Sequence, residues 1–305
     1  MKLQQFEALV AVVDEGGIRA AARALHVSQA AVTKSMRLLE EQAGTPLLKR
    51  GARGVTLTDA GQRLLARARV ITRQVALVRE DLRQAEGDDS GTLRVGVTPF
   101  LTLTVLGEAF RWFRQRYRRV ELHLIEGLTL RVLPRLRDGS LDLAAVAADI
   151  DEFGDDEFQC QRLLVAPQRI VVREGHPVLA QPSAQALAAQ EWVLTQPLGG
   201  ALQPNLDAMF ARAGVTPPTL VVCCETLAAM TLLRHSDGVS IFPEPLLGHA
   251  ETRGLVAIEP CPLVPGDVEV LLLSQADVPQ TPAAAYFAHC LAAVCAEVAA
   301  RQDRR

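Results

Sequence analysis

The 305-residue sequence predicts an α/β protein in two unequal parts: an N-terminal winged helix-turn-helix continued by a long linker helix, and a larger body of strands alternating with helices. Three observations predict it. Residues 16–53 read as two short amphipathic helices around a tight turn, followed by a basic, glycine-bearing loop. Residues 59–86 are nearly free of Gly and Pro and place apolar residues at steps of four and three. Beyond the polar break Glu86-Gly87-Asp88-Asp89-Ser90-Gly91, short apolar runs alternate with helical patterns, as in an α/β sheet.

The opening helix carries Leu3, Phe6, Val10 and Val13 as an expected inward stripe. The next buries Ile18, Ala21, Ala22 and Leu25, and its run of alanines lets a neighbouring helix approach closely. His26 and Val27 make the turn. Ser28 has the residue type of an N-cap, so the following helix starts there and turns Val32, Met36 and Leu39 inward. Gln29, Thr33, Lys34 and Arg37 stay outside. Such side chains ordinarily mark a solvated face, yet they also match DNA: Gln pairs with adenine, Arg and Lys with guanine or phosphate, and the Thr methyl with thymine. The alanine-rich preceding helix, the capped start and the loop Leu48 to Gly54, with Lys49, Arg50 and Arg53, favour DNA. The expected contact set is Ser28, Gln29, Thr33, Lys34, Arg37, Arg50 and Arg53.

In the long helix, Leu64, Ala68, Ile71, Val75, Val78, Leu82 and Ala85 form a heptad seam, expected to pair with a second copy of the chain. Two copies would present two readers to half-sites about one helical turn apart. Strands are expected at 93–98, 120–126, 141–147, 192–195, 220–224, 239–242 and 268–274.

Charge supports the division. The whole chain carries a net charge of −3, but residues 1–86 hold 14 Lys and Arg against 9 Asp and Glu, leaving 18 against 26 beyond. A basic reader on an acidic body keeps phosphate attraction local. With 49% hydrophobic and 22% charged residues the composition is that of an ordinary folded protein of two or three domains. Glu7 comes too early for a signal peptide and no uncharged apolar run is read as a membrane span, so a cytoplasmic protein is expected. The cysteines at 160, 223, 224, 261, 290 and 295 form no Cys-x-x-Cys pair and are expected to be small buried hydrophobes. No cofactor and no metal are expected.

Residues 1–86 resemble the LysR-type transcriptional regulators. The likeness rests on the opening Leu-x-x-Phe helix, the Ala-Ala-x-x-Leu helix, a Ser-Gln-x-Ala-x-Thr-type start, a Leu-Glu-x-x-x-Gly end and a Leu-Thr-x-x-Gly wing exit. Ala30, Leu48 and Gly17-Ile18 depart from the family's common proline, phenylalanine and Ser-Phe; none of these changes removes a DNA-facing group. Residues 92–305 resemble the periplasmic-binding-protein-like effector domain of the same family. The matching stretches are Arg137 to Leu143, His176-Pro177 after Val171-Val172, and Ser236 to Pro243.

The resemblance implies a reader at 1–58, a linker and dimerisation helix at 59–86, a hinge at 87–91 and a two-lobed effector domain at 92–305. Chain crossings near Ala166 and Gly266 would give lobe 1 residues 92–165 and 267–305, and lobe 2 residues 166–266. The implied partners are double-stranded promoter or operator DNA, a small-molecule effector, RNA polymerase, and further copies of the chain as a homodimer and homotetramer, with no membrane.

Ligands of open α/β sheets gather beyond the carboxyl ends of strands, where helix N-termini present free N–H groups. The expected effector set is Thr98, Pro99, Phe100, Thr129 and Ala147 from one lobe, and Thr195, Gln196, Gly199, Gly200, Thr226 and Phe242 from the other. Neutral donors suit a small organic anion such as an aromatic carboxylate or sulfonate. Two alternatives remain open: a thiol redox-sensing regulator of the same fold, and a solute-binding transport protein. An enzyme is not expected, because Gly-x-Ser-x-Gly, P-loop and Gly-x-Gly-x-x-Gly patterns are absent and the six His residues lack metal-pair spacing.

Overall fold

The computed structural model describes residues 1–51, 54–153, 157–195 and 202–302. In the reader, α1 (Leu3–Asp14), α2 (Ile18–Ala24) and α3 (Gln29–Ala43) precede a two-stranded wing, β1 (Leu48–Gly51) and β2 (Gly54–Leu57), and the linker helix α4 (Asp59–Ala85). The core lies among Phe6, Leu9, Val12, Ala21, Ala22, Val32, Met36, Leu39, Leu47, Leu65 and Ala68. The stripe expected in α1 is thereby corrected. Phe6 is buried as expected, but Ala8, Leu9 and Val12 face the core while Val10 and Val13 are half-buried, because α1 is packed between α3 and α4.

The signature residues of the reader have visible mechanical tasks. Ser28 caps α3 by accepting from the Ala31 N–H at 3.1 Å. Gly44 ends α3 at φ 68°, in the left-handed region that favours glycine. Glu40 Oε1 accepts from the N–H groups of Leu47 and Leu48 and so fixes the wing's first strand. Thr58 caps α4 through Gly61, and a Cβ on Gly61 would lie 2.1 Å from the Leu47 carbonyl oxygen, so only glycine fits.

The body begins with β3 (Ser90–Val97), α5 (Pro99–Thr104), α6 (Leu106–Arg116), β4 (Arg119–Glu126), α7 (Thr129–Arg137), β5 (Leu143–Ala147) and β6 (Phe158–Ala166). The chain then enters a second lobe of β7 (Gln168–Arg173), α8 (Ala184–Ala188), β8 (Trp192–Leu194), α9 (Leu202–Arg212), β9 (Val221–Cys223), α10 (Thr226–His235), β10 (Ser240–Pro243) and β11 (Leu255–Ala257). It returns with β12 (Val268–Gln275) and α11 (Pro282–Gln302).

The first sheet has the order β4-β3-β5-β12-β6, with β3 parallel to β4 and β5, and β12 antiparallel to β5 and β6. The second lobe has a three-stranded antiparallel sheet, β10-β7-β11, and a parallel pair, β8-β9, tied to it by a Trp192–Val239 bridge. Strands β6, β7 and β11 add to those expected. In β6, Gln159, Gln161 and Arg162 interrupt the apolar run on a sheet edge, which hides the strand from a hydrophobicity reading.

In the segment 87–91, Ser90 and Gly91 belong to β3, Asp88 accepts from the Ser90 N–H at 3.0 Å, and Arg119 pairs with both Asp88 and Asp89. A further expectation is corrected at α11, whose stretch Pro282–Arg301, with mean hydropathy 1.6, is long and apolar enough to cross a membrane. Its apolarity has a local use, because Ala283, Phe287, Leu291, Val294 and Cys295 are buried in the body's largest core.

Candidate functional site

The outer face of α3 presents Ser28, Gln29, Thr33, Lys34 and Arg37 to solvent while Val32, Met36 and Leu39 hold the helix down. Burial of the inner row fixes which side chains can meet a groove. Arg37 Nε donates to Glu41 Oε1 at 2.8 Å, but both side chains are largely exposed, so the pair contributes little to stability. Arg50 lies in β1, where its backbone pairs with Val55; its side chain and the whole of Arg53 lie outside the described residues.

The linker helix carries two rows of different chemistry. Ile71, Val78 and Leu82 are 41%, 59% and 63% exposed, an apolar row with no cover in the single chain. Arg69, Arg73, Glu80 and Gln84 form the other row, and at about 100° per residue the two rows lie on roughly opposite faces. The expected seam is shortened at its start, since Ala68 is fully buried in the reader core and Leu64 packs against it.

The polar row clasps the body. Arg73 meets Asp142 at 2.5 Å and Glu80 at 3.7 Å, Gln84 donates to the Ser90 carbonyl and accepts from the Ala283 N–H, and Arg69 reaches Asp14 and Asp138. Burial pushes the Glu80 carboxyl up from its ordinary value, against the pull of Arg73, and burial followed by Arg73 pushes Arg94 down. Sequence reasoning missed this clasp because its partners are far apart in the chain. The Arg137 to Leu143 turn is its socket: Gly139 adopts φ 73°, and Asp142 Oδ2 also accepts from the Arg94 N–H at 2.8 Å.

Between the lobes lies a cavity of about 440 Å³, lined by Leu128, Thr129, Leu130, Arg131, Leu133, Ala147 and Glu152 from one side and by Thr195, Cys223, Cys224 and Glu225 from the other. Of the expected effector residues, Thr129, Ala147 and Thr195 line it. Gln196, Gly199 and Gly200 lie outside the described residues. The rest do not line it. Thr98 and Pro99 are buried beside the strand end, and Thr226 begins α10. Phe100 and Phe242 are 6% and 2% exposed within one hydrophobic cluster drawn from both lobes.

Thr129 is already committed, its hydroxyl donating to the Ala147 carbonyl at 2.8 Å. Arg131 Nη1 contacts Glu225 Oε1 at 2.7 Å, and among the described residues this is the one ion pair that joins the two lobes. The expectation of buried cysteines is corrected: Cys290 and Cys295 are buried, Cys160, Cys224 and Cys261 half-buried, and Cys223 exposed. Burial pushes Cys224, Cys261 and Cys290 up, and Cys295 up to about 12, which disfavours the thiolate. The other motif residues are structural: His176 Nδ1 accepts from Val178, Asp237 pairs with Arg173, and Ser240 donates to the Val193 carbonyl.

A winged helix-turn-helix with an exposed polar recognition face, carried on a two-lobed α/β body with a cavity between the lobes, defines a ligand-responsive class of DNA-binding protein. A family model described as LysR substrate binding domain matches residues 86–296, and one described as bacterial regulatory helix-turn-helix protein, lysR family, matches residues 3–62. The chain belongs to the LysR family of DNA-binding transcriptional regulators; it is not an enzyme.

It is 30% identical to the SDS degradation transcriptional activation protein of Pseudomonas sp. (strain ATCC 19151), over 90% of this chain and 87% of that one. It is 26% identical to the hydrogen peroxide-inducible genes activator of Pectobacterium carotovorum subsp. carotovorum, over 86% of each. Full-length CbnR, solved in complex with its target DNA, shares the fold with a TM-score of 0.67 at 22% identity, covering 96% of this chain and 100% of that one.

Proposed function

We propose that this regulator is switched by a small organic molecule bound in the cavity between its lobes, and that the reader's contact set is Ser28, Gln29, Thr33, Lys34, Arg37, Arg50 and Arg53. The observation that carries the proposal is that lining residues come from both lobes, so an occupant changes how one lobe sits on the other. The clasp from Arg73 to Asp142 would pass that change to α4 and hence to the spacing of paired readers. The working units are a reader at 1–58, a linker at 59–86 and an effector domain at 92–305, divided into lobes near residues 166 and 266.

The open row Ile71, Val78 and Leu82 supports pairing of α4 with a second copy, and pairs of such dimers would form the tetramer. Access to chromosomal DNA and RNA polymerase places the protein in the cytoplasm. A small molecule is favoured over thiol oxidation because burial raises the pKa of four of the six thiols. Among the described lining residues an acidic group on the effector has one cation to meet, Arg131, and that cation is shared with Glu225.

The test is footprinting of the DNA upstream of the regulator's own coding region, with and without candidate small molecules. Ala147→Phe, which fills the cavity, should leave protection without ligand intact and abolish the ligand-dependent change. A ligand response unchanged by this substitution would place the effector elsewhere.

A further inference from the structure

The charges around the cavity are unequal. Arg131 is the only cation among its described lining residues, whereas Glu152 and Glu225 bring two carboxylates. A molecule carrying only a negative charge would enter against an excess of negative charge and would have to take Arg131 from Glu225 without offering Glu225 anything in return. A molecule carrying only a positive charge would leave Arg131 bridged and gain one end of the site.

The Arg131–Glu225 pair also has a particular position. Arg131 stands in the first turn of α7, Glu225 is the residue before α10, and the two meet at 2.7 Å across the lobes with side chains 68% and 64% exposed. An ion pair so exposed contributes little by itself and is readily exchanged. The walls beside it are apolar: Leu128, Leu130 and Leu133 from one lobe and the Cys223 and Cys224 side chains from the other.

We infer that the cleft selects a zwitterion with an apolar body, its carboxylate taken by Arg131 and its ammonium group by Glu225, so that the direct bridge between the lobes is replaced by one running through the ligand. The inference rests on the reading that the effector occupies this cleft. Each group freed from the pair finds a partner of opposite charge in the ligand, and Glu152 keeps the rest of the cleft negative, which disfavours a second acidic group. The lobes must separate to admit the ligand between Arg131 and Glu225, which makes this pair the point where occupancy becomes geometry.

The experiment uses the full-length protein and titration calorimetry with three matched series. The first is leucine, methionine, phenylalanine and tryptophan; the second is the carboxylates left when their ammonium groups are removed; the third is the amines left when their carboxylates are removed. At least one zwitterion should bind, and its mono-charged counterparts should bind roughly ten- to two-hundred-fold more weakly, the worth of one charged hydrogen bond. Arg131→Gln and Glu225→Gln should each weaken the zwitterion by a similar factor, while leaving the melting temperature nearly unchanged because the pair is exposed.

Failure of every zwitterion to bind overturns the inference, as does a carboxylate that binds equally well or a Glu225→Gln variant with full affinity. If a carboxylate binds and Ala147→Phe abolishes it, the cleft stands and only the zwitterion falls. If binding survives Ala147→Phe, the cleft itself is the wrong site.

Discussion

Arg73 of the linker helix and Asp142 at the entrance to β5 meet at 2.5 Å with side chains only 10% and 7% exposed, 69 residues apart in sequence. Asp142 uses its other oxygen on the Arg94 N–H, so one carboxylate joins the linker to the sheet that forms the first lobe. Removing the Asp142 charge leaves Arg73 with Glu80 alone, at 3.7 Å. Asp142→Asn should therefore cost up to about 3–5 kcal/mol, the range for breaking a buried pair, read as a lowered urea midpoint of the full-length protein. A midpoint within error of the parent would show that the clasp does not hold the linker.

Glu80 gives the same junction a pH dependence. Its carboxyl is raised in the folded protein by burial above all. The folded state then binds that proton more tightly than the unfolded state does. The contribution to stability is greatest below the ordinary carboxylate range and falls as pH rises through that range to the raised value. Glu80→Gln should flatten this part of the stability profile relative to the parent, measured by chemical denaturation between about pH 4 and 7. Parallel profiles would mean Glu80 titrates normally.

In the reader, the exposed Lys34 and Arg37 on α3, together with the cations of the wing sequence, should carry a salt-dependent share of DNA affinity. Lys34→Ala or Arg37→Ala should each flatten the dependence of binding on salt by roughly one unit where the side chain meets a phosphate, with a similar result for Arg50 and Arg53. Gln29→Ala and Thr33→Ala should relax base preference. Competition between operator and random duplex distinguishes the two, since equal losses on both would remove Gln29 and Thr33 as base readers.

The apolar row on α4 predicts its own test. Ile71→Asp or Val78→Asp would desolvate a carboxylate in a paired seam at a cost of several kcal/mol, or roughly 3–5 by analogy with an uncompensated buried charge. Light scattering at micromolar concentration should then report a smaller assembly, with the far-ultraviolet dichroism unchanged. An unchanged mass would move the contact off this row.

At the cleft, Thr195 and Thr98 should part company. Thr195 lines the cavity, and its loss as Thr195→Ala should weaken whichever small molecule binds by a few-fold up to about two-hundred-fold, the range for one hydrogen bond. Thr98 is 4% exposed beside the buried strand end and does not line the cavity, so Thr98→Ala should leave the affinity unchanged. Calorimetric titration of both variants with the same ligand decides it, and a large loss at Thr98 would extend the site inward.

Local rules act over a few residues, and where they govern, the chain is readable. The Ser28 cap and the inward row Val32, Met36 and Leu39 follow from spacing and residue type, while Gly44 and Thr58 stood out only as motif positions until the structure showed them ending α3 and capping α4. The exposed outer face of α3 follows from the same periodicity. Alternation of apolar runs likewise announced the α/β body, although an edge strand with polar interruptions such as β6 gave no such signal.

What only the tertiary structure decided is which of many similar residues meet. Threonines at helix starts are alike in sequence, yet Thr129 and Thr195 face the cavity while Thr98 is packed away. Phe100 and Phe242 looked like covers for a ligand, but they sit in a core shared by both lobes because burying two aromatic rings there removes more apolar surface from water than a cleft wall could. Arg131 and Glu225, or Arg73 and Asp142, become partners only when segments 94 and 69 residues apart are folded against each other. Charge pairing at that range has no periodicity to betray it, because it is set by how sheets and helices stack and not by the spacing along any one of them.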